Sequence, residues 1–164
     1  MPTPDELRSD LAAAREEFKA ALGAVAAGWE KGAGGSGEDA WSARQTAEHA
    51  IPVEAFFATA ICTACGYPGV DTVTGSYASP VEAAAHFDEV IEMCNKKLKY
   101  VSAEDLEKKH EQFGTAGEML AMNATVRRCR IAQQTGSSVP SNPRKFPSSP
   151  NVVNGTNRAA CFGR

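Results

Sequence analysis

Four times along this chain a Ser or Thr is followed, three positions on, by a Glu or Gln and then by apolar residues at helical spacing. The boxes are Thr3-Pro4-Asp5-Glu6, Ser42-Ala43-Arg44-Gln45, Ser79-Pro80-Val81-Glu82 and Thr115-Ala116-Gly117-Glu118. In such a box the hydroxyl accepts from an otherwise unpaired N–H of the first turn, and the longer side chain reaches back to the N–H of the capping residue. Pro4 and Pro80 strengthen two of the signals, because the first helical position needs no N–H and suits the fixed proline φ. Each box predicts a helix start.

The apolar positions that follow recur in steps of three and four, the period of one helix face. The first stripe is Leu7, Leu11, Ala14, Phe18, Leu22 and Val25, ended by the glycine-rich stretch 28–37. The second helix is expected to run to about Cys65, before Gly66-Tyr67-Pro68-Gly69, with Pro52 inside it and a kink just after His49. Ala84, Phe87, Ile91, Cys94, Leu98 and Val101 make the third stripe. Leu120, Ala124 and Ile131 make the fourth, flanked by Met119, Met122, Val126 and Cys129. Between these two, Ser102 with Asp105 is expected to cap one or two turns ending at Lys109. Val70 to Tyr77 is the one strand candidate, and Gly75 weakens it. The fold class is therefore all-α, a four-helix bundle. Its long connections place loops where they can cover a pocket.

Charge divides the chain. Residues 1–118 hold all 20 acidic residues and 10 basic ones, while residues 119–164 hold no acid and 7 Lys and Arg. Ser, Asn, Pro and Gly dominate from Thr135 onward, without helical period, a composition that buries too little to offset ordering entropy. The expected organisation is a bundle over 1–134 and a disordered basic tail over 135–164. The formal net charge of −3 gives no reason to expect a nucleic-acid partner. No apolar run approaches the roughly 18 residues of a membrane span. The first ten residues carry three acids and one Arg, unlike a secretory signal. With 5 cysteines, an odd number, free thiols in a reducing cytoplasm are expected.

Few residues are candidates for chemistry. His49 lies two turns into the second helix on a face continued by Val53, Phe56 and Ala60, where an imidazole either bonds a core neighbour or ligates a metal. Glu54 beside that face reads as an edge residue near solvent, a second ligand or a proton acceptor. His86 is expected to pair with Glu82 one turn earlier, and His110 to be solvated within Lys108-Lys109-His110-Glu111. Cys62-Thr63-Ala64-Cys65 falls at a helix C-terminus, where the dipole raises a thiol pKa, so these residues and Cys94 read as small buried hydrophobes. Trp41 precedes the Ser42 cap and is placed to staple the helix start, and Trp29 to cover the end of the first helix. Gly32 to Gly37 has neither a preceding strand nor a following Lys-Ser/Thr, so it is no phosphate loop.

At Trp41-Ser42-Ala43-Arg44-Gln45-Thr46-Ala47-Glu48-His49 the chain resembles the DinB/YfiT-like superfamily. Glu54-Ala55-Phe56-Phe57, the opening helix from Asp5-Glu6-Leu7 to Phe18, and Phe113-Gly114-Thr115-Ala116-Gly117-Glu118-Met119-Leu120 extend the likeness over residues 4–134. The resemblance implies a four-helix bundle, often a homodimer, with a divalent metal (zinc or nickel) held by one histidine of the second helix and a His-x-x-x-His pair of the last. It also implies metal-dependent thiol transferases or isomerases using a low-molecular-weight thiol such as mycothiol or bacillithiol, or hydrolase-like relatives. There the metal generates a nucleophile by lowering the pKa of a bound thiol or water.

His49 matches the second-helix ligand. The last helix reads Ala124-Thr125-Val126-Arg127-Arg128-Cys129-Arg130, and no histidine follows His110. The implied metal site is incomplete, with Cys129 as one conceivable substitute and three arginines near the vacant positions. A metal-free helical module is the alternative, with Phe56, Phe57, Trp41 and Met122 lining a pocket for a small apolar or thiol ligand. The absent pair, the loss of acids and the Pro/Ser-rich tail begin close together. A shifted reading frame accounts for all three at once; a genuine basic tail is the other reading.

Overall fold

The structure is a computed structural model that describes residues 2–32 and 40–135, with side chains through Val126. The glycine-rich residues 33–39, the basic segment 136–164 and the side chains of residues 127–135, including Arg127, Arg128, Cys129, Arg130 and Ile131 of the expected fourth stripe, lie outside the described residues.

Four helices carry the fold: α1 (Pro4–Ala24), α2 (Ala43–Cys65), α3 (Pro80–Leu98) and α4 (Ala116–Thr135). Every one starts at its expected box. Thr3 and Ser42 form reciprocal capping boxes with Glu6 and Gln45, and Ser79 accepts from the N–H of Glu82. Thr115 and Glu118 exchange the same two bonds at the head of α4. Gly66 ends α2 in the left-handed region at φ 79°, where its N–H reaches the carbonyls of Cys62 and Thr63. Only a residue without Cβ adopts that conformation at no steric cost.

α2 runs as one helix through Pro52. The proline supplies no N–H to the Glu48 carbonyl one turn back, so this helix carries one backbone acceptor without its usual donor. Short 3-10 turns lie at Ala26–Gly28 and Asp105–Glu107. The second is held by the expected pair but ends at Glu107, not at Lys109: Ser102 Oγ accepts from the Asp105 N–H, and Asp105 Oδ2 from the Ser102 N–H at 2.8 Å. Just beyond it lies a feature outside the sequence expectation. Lys109–His110 (β1) pairs antiparallel with Gly114–Thr115 (β2), with Lys109 opposite Thr115. The Val70–Tyr77 segment forms no strand.

The helices share one core. α1 packs most extensively on α4, α2 lies against both α3 and α4, and α3 touches α1 more lightly. Leu7, Leu11, Ala14, Phe18 and Leu22 are buried as their spacing predicts. The face of α3 is turned slightly from expectation: Ala83, Phe87, Val90, Cys94 and Leu98 are buried, whereas Ala84 and Ile91 are only partly covered. Phe18 and Phe87 meet edge to face with centroids 5.3 Å apart, joining α1 to α3. Each such buried aliphatic or aromatic side chain contributes about 1.5–3 kcal/mol. Among the described residues, no helix is long and apolar enough to cross a membrane.

Candidate functional site

One face of α2 forms the wall of an open cleft. Steps of three and four place Glu48, His49, Pro52, Val53, Phe56 and Thr59 side by side, and Val70 to Val73 of the α2–α3 connection stand opposite. The cleft encloses about 430 Å³. That lies within the ~300–1,000 Å³ of small-molecule sites. His49 is half-buried, with its ring edge to face on Trp41 at 5.1 Å between centroids. Phe56 is 51% exposed, the most open aromatic of the cleft.

The far wall is coil, and its position depends on tethers. Thr59 Oγ1 accepts from Val70 N–H at 3.2 Å and donates to the Val70 carbonyl at 3.3 Å. A Cβ on neighbouring Gly69 would come 2.8 Å from the Thr59 methyl, so only glycine allows this approach. Further along, Glu48 Oε1 accepts from Arg44 Nε at 2.9 Å and from Ser76 Oγ and Tyr77 N–H, both at 3.2 Å. Burial works to raise the Glu48 pKa. Arg44, the Tyr77 N–H and the Ser76 hydroxyl outweigh it and hold the carboxyl below its ordinary range.

Tyr77 locks the end of this wall. Its side chain is buried and its hydroxyl meets His86 Nδ1 at 2.9 Å, while Trp29 Nε1 donates to its carbonyl at 3.3 Å. Burial first, then Glu48 and Glu82, push the phenol up to about 12. It therefore stays protonated and able to donate to the imidazole. The expected His86–Glu82 pairing is replaced by this contact: Glu82 instead accepts from the Ala78 N–H at 2.8 Å. Trp29, expected over the end of α1, is buried and tied to the connection.

A second polar assembly lies in the core. Arg15 Nη2 donates to Glu54 Oε1 at 2.6 Å, Arg15 Nη1 to Asn95 Oδ1 at 2.8 Å, and Asn123 Nδ2 to Glu54 Oε1 at 3.2 Å. Each helix supplies one member. Glu54, expected at an edge near solvent, is fully buried, because an arginine from α1 neutralises it inside the core. The sequence reading missed Arg15 and Asn123; the one signal was their place beside the apolar positions Ala14 and Ala124.

The remaining candidates fall elsewhere. His110 is on β1, half-buried against Phe113 at 5.0 Å between centroids, and its Nδ1 accepts from the Gln112 N–H. It is less solvated than its charged neighbours imply. Cys62, Cys65 and Cys94 are buried, and burial pushes Cys65 up to about 11. Of the four expected pocket residues, Phe56 lines the cleft; Phe57 is buried, Trp41 backs His49 from the side, and Met122 packs on the core.

A three-histidine metal centre does not fit the described residues. His49 is one matching donor, and among the described residues no group of three His, Cys, Asp or Glu is placed to hold an ion. The sequence provides no histidine beyond His110 to complete the set. No family model, curated protein or solved structure matches this chain.

Proposed function

We propose that this chain is a DinB-like four-helix bundle serving as a binding module, with the cleft beside His49 holding a small, largely apolar ligand. The observation that carries this reading is the cleft itself: about 430 Å³ with Val53, Phe56, Val70 and Val73 as hydrocarbon walls and His49 as a polar group at one side. A pocket of that size and mixed lining buries an apolar body while one or two polar contacts orient it. The incomplete donor set favours this reading over a metal-dependent thiol transferase. His49 then acts as a hydrogen-bonding group rather than as one of three protein ligands.

Titration of the full-length protein with neutral apolar dyes and low-molecular-weight thiols tests the proposal, with Trp41 fluorescence as the readout. Saturable binding weakened by Val53→Asp, in a variant that keeps its helical content, is expected. Absence of saturable binding across the panel defeats the reading. Stoichiometric zinc or nickel in the purified protein, lost in His49→Ala, replaces it with the metal-dependent one.

A further inference from the structure

The cleft is asymmetric in charge and in hydrogen-bonding character. Among the described residues, the two charged ones that line it, Glu48 and Asp71, are both acidic, and neither Lys nor Arg lines it. Glu48 is paired with Arg44, which also bridges Glu30 and so neutralises Glu48 only in part. Asp71 is exposed at the rim, so its carboxylate sets the sign of the field there. Phe56 adds a half-exposed aromatic face, which attracts cations through its quadrupole.

From this arrangement we infer that the cleft selects small hydrophobic amines: a protonated ammonium facing Asp71, carried on an apolar body against Val53, Phe56 and Val73. The inference rests on the binding reading above and narrows its ligand class. An ammonium satisfies acceptors and carries the opposite charge. A carboxylate of equal size brings a like charge to the rim and offers no donor. Anionic thiols are disfavoured for the same reason.

Three isosteres separate charge from shape: 1-naphthylmethylamine, 1-naphthylmethanol and 1-naphthoate, titrated into the full-length protein by calorimetry at low salt. The amine is expected to bind about two- to fivefold more tightly than the alcohol, the range for a solvent-exposed charge pair. The carboxylate should bind more weakly than the alcohol. The preference should shrink at high salt, as screening requires. Asp71→Asn, a change at an exposed site, should remove most of the amine's advantage over the alcohol. Equal binding of the three, a preference for the carboxylate, or an amine preference undiminished in Asp71→Asn overturns the inference and leaves the binding reading standing. Failure of all three compounds to bind overturns both.

Discussion

Arg15 on α1 and Glu54 on α2 form a buried ion pair across the core, joined at 2.6 Å with side-chain exposures of 4% and 0%. Their helices are not extensive neighbours, since α1 packs mainly on α4 and α2 on α3 and α4. The pair thus fixes the relation of two helices that hydrophobic packing links only indirectly. Asn95 and Asn123 bond to it from α3 and α4. An apolar stripe tolerates rotation by a fraction of a turn, whereas these directional bonds do not.

Removing one member leaves the other charged and buried. Glu54→Ala should therefore destabilise by about 3–5 kcal/mol, and Arg15→Met by a similar amount. The double variant Arg15→Met/Glu54→Leu should cost clearly less than the sum of the singles, because no charge is left stranded. Urea unfolding of the four proteins measures the coupling. Additive losses would show that the pair does not act as a unit.

How much of this was legible in the sequence follows from the range of each interaction. Capping boxes involve residues three apart, and all four helix starts were readable. The stripe of α1 was readable because its apolar positions are unambiguous. On α3 the alanines at 83, 84 and 85, with Val90 beside Ile91, suit two neighbouring faces equally, and only contact with α1 and α2 decides between them. Arg15 and Glu54 are 39 positions apart, so periodicity alone assigns each to a polar edge. The cleft's second wall is coil held by Thr59, Glu48 and Tyr77, and no local pattern encodes those tethers. His86 shows the same limit: its nearest acid by sequence is Glu82, but a tyrosine from the preceding connection reaches it.

Gly75 should prove intolerant of even a methyl group. A Cβ there would overlap the Tyr77 hydroxyl, which is held in place by His86. Gly75→Ala must displace either the tyrosine or the connection, at about 1–3 kcal/mol for an overpacked site. Tyr77→Phe in the same background removes the hydroxyl but leaves the ring carbons Cζ and Cε2 inside contact distance, so most of the loss should remain. Thermal melts of the two variants check this, and a harmless Gly75→Ala would contradict the described position of Tyr77.

Cys65 should be nearly inert in the folded protein. Its thiol is pushed up to about 11, by burial first and by the nearby Asp105 second. Near neutral pH its thiolate fraction is roughly two orders of magnitude below that of a free cysteine. Iodoacetamide at pH 7.5, followed by peptide mass spectrometry, should leave Cys65 unlabelled in native protein and label it fully in urea. Rapid native labelling would mean that the end of α2 opens readily.

Asp105 should make part of the stability acid-sensitive. Its carboxylate accepts from Lys108 Nζ at 2.7 Å, from the Ser102 N–H and hydroxyl at 2.8 and 2.9 Å, and from Tyr67 Oη at 3.0 Å. Lys108 foremost, then the Ser102 N–H, hold its pKa well below the carboxylate range against the opposing effect of burial. In the unfolded chain the group titrates near its ordinary value of about 3.9. A depressed folded-state pKa means that the unfolded chain takes up the proton first. The stabilisation is therefore complete above about pH 5 and drains away as pH falls through 4 toward the folded value. Asp105→Asn should cost about 1–3 kcal/mol at pH 7, through loss of the charge-assisted bonds to Lys108 and Ser102. It should also flatten the decline in stability between pH 5 and pH 3, because the titrating group is gone. Urea unfolding across that window compares the two proteins. Parallel pH profiles would show that Asp105 carries none of the acid response and that its bonds to Lys108, Ser102 and Tyr67 persist in the unfolded chain or contribute nothing.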